Sequence, residues 1–178
     1  MILKETKLKG AYVIDIEPIK DERGFFARTF CQEEFAKYGL NSRLAQCSLS
    51  YNKKKGTLRG MHYQAAPREE SKLVSCPRGA IYDVVLDLRA QSETFGQWVA
   101  VKLSASNKKM LYIPEGLAHG FQTLEDDTEV FYQISEFYHP ESARGVRFDD
   151  PAFAINWPEA EKRVISKKDM EYGLWQRT

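Results

Sequence analysis

The sequence predicts a single all-β domain, a sandwich, jelly roll or barrel with a few short helices. Hydrophobic residues repeat with a period of two over most of the chain, not 3.6. Turn-forming clusters separate the alternating runs at intervals of about 8 to 12 residues. The 178 residues are 43% apolar and 29% charged, enough for one buried core and too few residues for separate cofactor and substrate domains. Residues 1–178 therefore read as one domain.

The elements follow in order. Ala11–Glu17 alternates Val13, Asp15 and Glu17 against Tyr12, Ile14 and Ile16, a strand. Asp21-Glu22-Arg23-Gly24 marks a turn. Gln32–Tyr38 predicts a short helix closed by Gly39. Gln46–Arg59 reads as a loop, with Lys53-Lys54-Lys55 as solvated charge. Leu73–Cys76 is a short strand that Pro77-Arg78-Gly79 turns into Ala80–Leu88. There Ile81, Asp83 and Val85 face one side, and Tyr82, Val84, Leu86 and Leu88 the other. Gln97–Leu103, Met110–Ile113 and Phe121–Leu124 are further strands, separated by Ser106-Asn107-Lys108 and other turn signals. Glu129–Tyr138 is the last long strand, with Val130, Tyr132 and Ile134 on one face. Ser166–Asp169 starts a short helical turn.

Bulk charge excludes some partners. Lys plus Arg number 26 against 25 Asp plus Glu, a net charge of +1, so neither nucleic acid nor a membrane surface is expected as a partner. No apolar run approaches the ~20 residues of a membrane span. Met1–Lys9 lacks the apolar stretch of a secretory signal. Cys31, Cys47 and Cys76 are odd in number and form no CxxC pair. The expectation is a cytoplasmic protein without a disulfide framework or zinc ribbon.

Two of the three histidines lie between glycines, in Arg59-Gly60-Met61-His62-Tyr63-Gln64 and Pro114-Glu115-Gly116-Leu117-Ala118-His119-Gly120. The second string has the form P-x-G-x-x-H. It resembles the second motif of the cupins, small jelly-roll barrels. Metal-binding cupins carry a first motif with a glycine, five residues, H-x-H, and a glutamate six residues before a later glycine. Here Gly56 stands at that distance before His62, but Gln64 replaces the second histidine. Lys72 takes the place of the glutamate before Gly79. An ammonium at a ligand position repels a cation, so neither metal nor cofactor is expected. A pocket holding His, Lys, Tyr and Arg suits proton chemistry instead. Imidazole titrates near ~6.5 and accepts a proton at neutral pH. An ammonium stabilises a developing oxyanion. Such a set permits removal and return of a proton beside a carbonyl.

Several strings together carry a more specific resemblance. They are Asp21-Glu22-Arg23-Gly24-Phe25-Phe26, Gly56 through Gln64, Lys72-Leu73-Val74, Asp83 through Arg89, Ser92 through Trp98, Leu111 through Phe121, and Ser166-Lys167-Lys168-Asp169. In this order they resemble the dTDP-4-dehydrorhamnose 3,5-epimerase family from about Lys9 to Asp169. The resemblance implies a cupin-like double-stranded β-helix, a jelly-roll barrel, as a homodimer. It implies a metal-free isomerase acting on a nucleotide-diphosphate-linked 4-keto-6-deoxyhexose. By matching position, His62 is the base that removes the proton alpha to the C4 ketone, and Asp169 orients its imidazole. Lys72 stabilises the enolate oxygen, and Tyr132 reprotonates from the opposite face. His119 lies near the sugar or phosphates, and Tyr138 against the sugar. Arg23 and Arg59 pair with the diphosphate, where planar bidentate donors are favoured. Lys168 and Gln46 contact the nucleotide, and Ser48 stands beside them.

Each residue also has a plainer reading. Tyr132 fits barrel packing, Asp169 a helix N-terminal acid, Arg59 a surface charge, and Lys72 a partner for Glu69 or Glu70. Some positions depart from the family pattern. Arg28 stands where a glutamate is usual, Ser48 where asparagine follows Q-x, and Ala143 where a glutamate is usual. The segment between Gln46 and Arg59 is one residue longer. All four departures are on the nucleotide side, so a CDP- or GDP-linked substrate, or inversion at one carbon only, stays as an alternative. A 3,4-ketoisomerase, a non-catalytic sugar-binding cupin and a metal-dependent oxygenase are the other readings.

Overall fold

The computed structural model describes residues 1–176. In chain order the first elements are β1 (Ile2–Glu5), β2 (Tyr12–Asp15), β3 (Ile19–Asp21), β4 (Gly24–Phe26), α1 (Gln32–Lys37), β5 (Gln46–Asn52) and β6 (Thr57–Gln64). Then come β7 (Lys72–Arg78), β8 (Ala80–Asp87), β9 (Trp98–Ser104), β10 (Met110–Ile113), β11 (Leu117–Thr123) and β12 (Thr128–Ile134). The chain continues through β13 (Ala143–Gly145), β14 (Val164–Ile165) and α2 (Lys167–Met170).

Two sheets face each other. One runs β1-β2-β10-β7-β12-β5 and the other β13-β6-β11-β8-β9, with β14 added beside β6. β3 and β4 form a separate hairpin. Alternation along each strand sends one set of side chains between the sheets. Val74, Leu111 and Val130 from the first sheet meet Ile81, Val85, Leu103 and Phe121 from the second, all buried. The outer faces are also covered. Phe35 of α1 packs on Leu73, Met110 and Tyr112 outside the first sheet. Val146, Phe153 and Trp175 cover Met61, Val84 and Leu86 outside the second. The period of two predicts such an all-β architecture, and the jelly-roll barrel is the form of it that the resemblance implies.

Local expectations hold in several places. The helix ends with Tyr38 as C-cap, and Gly39 takes φ +67°. The Glu22–Arg23 turn joins β3 to β4. Ser166 caps α2 by accepting the Asp169 N–H at 3.1 Å. Others are corrected. Gln46–Arg59 is not a loop but β5, a turn at residues 53–56, and the start of β6. Its pattern is inverted: Leu49 and Tyr51 are exposed, while Gln46, Ser48 and Ser50 line a cavity. The strand read as Glu129–Tyr138 ends at Ile134, and Phe121–Leu124 is the end of the longer β11. β6 and β11 approach so closely that a Cβ on Gly60 would lie 2.5 Å from the Gly120 Cα. Glycine at both positions lets His62 and His119 sit side by side.

Candidate active site

At one end of the sandwich the inward side chains change from aliphatic to polar. They enclose a cavity of about 450 Å3, within the range of small-ligand sites. Strand register decides which residues line it. On the first sheet Tyr132 opposes Val74 and Ser48, while Ile134 opposes Lys72 and Gln46. Opposed residues share a face, so Gln46, Ser48, Lys72 and Tyr132 project together. On the second sheet His62 opposes His119, which in turn opposes Val85. The two histidines and the Lys72–Tyr132 pair thus come from opposite walls.

His62 Nε2 lies 2.7 Å from Asp169 Oδ1. The Gly60 N–H donates to the other carboxylate oxygen at 3.3 Å. Burial alone would push the Asp169 carboxyl up. The bond to His62, its charge, the Gly60 amide and Ser166 outweigh this and hold it below the usual carboxylate range. An ionised Asp169 accepts the Nε2–H and leaves the Nδ1 lone pair of His62 for chemistry. Tyr172 packs edge-on against His62, with ring centroids 6.0 Å apart. It fits because residue 145 is glycine: a Cβ there would meet the Tyr172 ring at 2.2 Å.

His119 is buried, with Nε2 2.6 Å from Asp83 Oδ1. Tyr132 stands edge-on to it, centroids 6.0 Å apart. Burial pushes the Tyr132 phenol up, the Asp83 carboxylate adds to this, and Arg59 opposes it. The phenol is therefore protonated at neutral pH. Its hydroxyl has no hydrogen-bond partner among the described residues. Lys72 Nζ pairs with Glu70 Oε1 at 2.8 Å, so the plainer reading of Lys72 as a partner for a neighbouring acid is also correct. Arg59 Nε donates to Asn52 Oδ1 at 2.8 Å, and the buried Asn52 amide donates to the Thr128 carbonyl at 3.2 Å. The terminal Arg59 nitrogens stay available, and Arg144 and Lys168 join them at the cavity.

Gln64, at a cupin ligand position, is tied up as a clasp. Its amide nitrogen donates to the carbonyls of Arg68 and Phe137 at 2.9 and 3.1 Å, and its oxygen accepts the His139 N–H at 2.7 Å. With Lys72 as the other occupant, the donor set does not suit a divalent cation. A larger depression along Lys54, Asp126 and residues 159–164 is an open groove with charges of both signs. It has none of the buried polar pairs found in the cavity.

His62, Lys72, Tyr132, Asp169, Gln46, Ser48, Arg59, His119, Tyr138 and Lys168 all line the cavity. Arg23 does not: it sits exposed at the hairpin tip, paired with Asp21. Arg28 also lies outside, 2.8 Å from Glu34, whereas Ser48 and Ala143 are inside.

A family model described as dTDP-4-dehydrorhamnose 3,5-epimerase matches residues 5–177. The chain belongs to this epimerase family. The curated dTDP-4-dehydrorhamnose 3,5-epimerase of Methanothermobacter thermautotrophicus is 42% identical over 170 residues, covering 94% of this chain and 91% of the relative. The crystal structure of the family member from Elizabethkingia anophelis superposes with a TM-score of 0.95 at 38% identity, covering 98% of this chain and 96% of that one. A dTDP-6-deoxy-D-glucose-3,5-epimerase from Legionella pneumophila, solved with dTDP-4-keto-L-rhamnose, gives 0.91 at 38% identity, covering 97% and 92%. Family membership accounts for the jelly roll and for the order of the motifs.

Sequence reasoning missed Tyr172, Arg144, Tyr63 and Ser50 as cavity residues. Ser50 shares the period of two with Gln46 and Ser48, a usable signal once β5 is known to be a strand. Tyr172 carries no such signal, because its place depends on how the C-terminal segment folds back. Trp175 anchors that segment by packing against Phe95 and Phe153.

Proposed function

We propose that the protein epimerises a dTDP-linked 4-keto-6-deoxyhexose at C3 and C5, by deprotonation alpha to the C4 ketone and reprotonation from the other face. One observation carries this reading. A carboxylate-oriented imidazole and a protonated phenol come from opposite sheets onto one cavity. His62 Nδ1 takes the proton, and Asp169 stabilises the imidazolium that results. Lys72 lies on the wall beside Tyr132, where its ammonium stabilises the enolate oxygen. Tyr132 returns a proton to the opposite face. Arg59, Arg144 and Lys168 provide the positive charge that a diphosphate requires. Gln46, Ser48 and Tyr138 complete the lining, with His119 on the cavity floor. Incubation with dTDP-4-keto-6-deoxyglucose in D2O, following deuterium at C3 and C5, tests the reaction and its regiochemistry together. No deuterium at either carbon would overturn the reading.

The donor set predicts that turnover needs no metal. Activity should survive EDTA and dialysis unchanged. Loss on chelation with recovery on adding one divalent ion would contradict this.

The same reading includes a homodimer in which Arg23 reaches the neighbouring site. Supporting it, Ile19, Phe25 and Phe26 of the hairpin are 73%, 51% and 75% exposed. Edge strand β5 also leaves Leu49 and Tyr51 uncovered. Light scattering should show a dimer that Phe25→Ala/Phe26→Ala weakens toward monomer. Mixing Arg23→Ala with His62→Ala should restore activity that neither variant has alone, because one site per mixed dimer has both residues. A fully active monomer would rule the arrangement out. The three cysteines are unpaired, which supports a reducing cytoplasm. No helix among the described residues is long and apolar enough to cross a membrane.

A further inference from the structure

Lys72 pairs with a carboxylate that also lines the cavity. Its ammonium is 2.8 Å from Glu70 Oε1, and both side chains are only 10% exposed. Asp83 on β8 is fully buried, and burial pushes its carboxyl up, against the opposing effects of His119 and the Lys72 charge. Asp83 Oδ1 is occupied by His119, but Oδ2 is buried with no hydrogen-bond partner. The lysine stem is flexible, so the place of its ammonium depends on the partner that holds it.

We propose that Glu70 is a positioning residue that holds the Lys72 ammonium at the cavity wall. The inference rests on the reading of Lys72 as the group that stabilises the enolate oxygen. The backbone beneath the pair is fixed. Ser71, between them, donates its N–H to Ser135 Oγ at 2.8 Å, and its carbonyl accepts the Ser135 N–H at 3.0 Å. An ammonium has three N–H donors. One is taken by Glu70, and a second makes a long contact of 3.5 Å with the His62 carbonyl. The third is free for substrate. In this arrangement Glu70 sets where the positive charge sits, and touches the reaction only through Lys72.

The test uses Glu70→Ala, Glu70→Gln, Lys72→Ala and the Glu70→Ala/Lys72→Ala double variant, with dTDP-4-keto-6-deoxyglucose as substrate. Glu70→Ala should lower kcat about tenfold or more, with KM within roughly twofold of wild type. Glu70→Gln keeps an oxygen acceptor in the same place and should recover kcat to within about threefold. In the Lys72→Ala background, Glu70→Ala should change kcat by less than about twofold, because nothing remains to position. A crystal structure of Glu70→Ala should show the Lys72 ammonium displaced from its place beside the cavity. Wild-type kcat in Glu70→Ala, an equal loss with and without Lys72, or an unmoved ammonium would each overturn the proposal. If wild type fails to turn over the sugar, the functional reading falls, and the crystal structure still decides the position of Lys72.

Discussion

His62→Ala should abolish deuterium uptake at C3 and C5, a loss on the order of 10³-fold or more in kcat/KM. Three other candidate groups among the described cavity residues are committed elsewhere or already protonated. His119 commits Nε2 to Asp83 and is buried on the floor. Glu70 is held by Lys72, and Tyr132 is protonated. Asp169→Asn should be milder, on the order of 10²-fold in kcat, because the amide oxygen still accepts from Nε2–H but without charge. Binding of dTDP by calorimetry should change little in either variant, since neither side chain carries the positive charge a diphosphate needs. The Asp169 carboxyl is held below its ordinary value in the folded protein. A depressed carboxyl stabilises the fold above its unfolded pKa of about 4, and that contribution is lost as pH falls through the folded value. The stability deficit of Asp169→Asn should therefore be full at neutral pH and shrink in acid. Wild-type isotope exchange by His62→Ala would move the base elsewhere.

What the sequence shows of this protein depends on where apolar side chains face. Strands of the main core, such as Ala80–Asp87 and Met110–Ile113, declare themselves because their inward residues are aliphatic. β5 does not. Its inward residues are polar because they line the cavity, and its apolar ones face outward, so alternation gives the wrong side. The strand carrying His62 was likewise hidden, since Gly60 and His62 interrupt its hydrophobic pattern. Of the proposed proton-transfer set, His62, Lys72 and Asp169 stand in legible motifs, whereas Tyr132 lies in an ordinary alternating strand that the register sets on one wall with Lys72. Contacts made by segments that fold back were not legible. Tyr172 on His62 and the exposed position of Arg23 follow from tertiary placement that no local pattern encodes.

Tyr132→Phe should form enolate but little inverted product. Inversion requires a proton taken from one face of a planar enolate and returned to the other. A single residue working on one face would only exchange isotope. The register places Tyr132 on β12 opposite Val74 and Ser48, across the cavity from His62 on β6. Burial, with Asp83 adding, keeps its phenol protonated, which is the state a donor needs. The ring packs against the main buried core, and phenylalanine keeps that packing. The hydroxyl has no partner among the described residues, so its removal leaves no buried group unpaired. Stability and dTDP affinity should thus stay close to wild type. Deuterium wash-in should persist, because His62 and Asp169 remain in place. Formation of inverted sugar should fall on the order of 10²-fold or more, as expected for loss of a general acid. The measurement is parallel NMR of deuterium content and product stereochemistry in D2O. Full inversion by Tyr132→Phe would exclude it as the donor and direct attention to Tyr138 at the cavity rim.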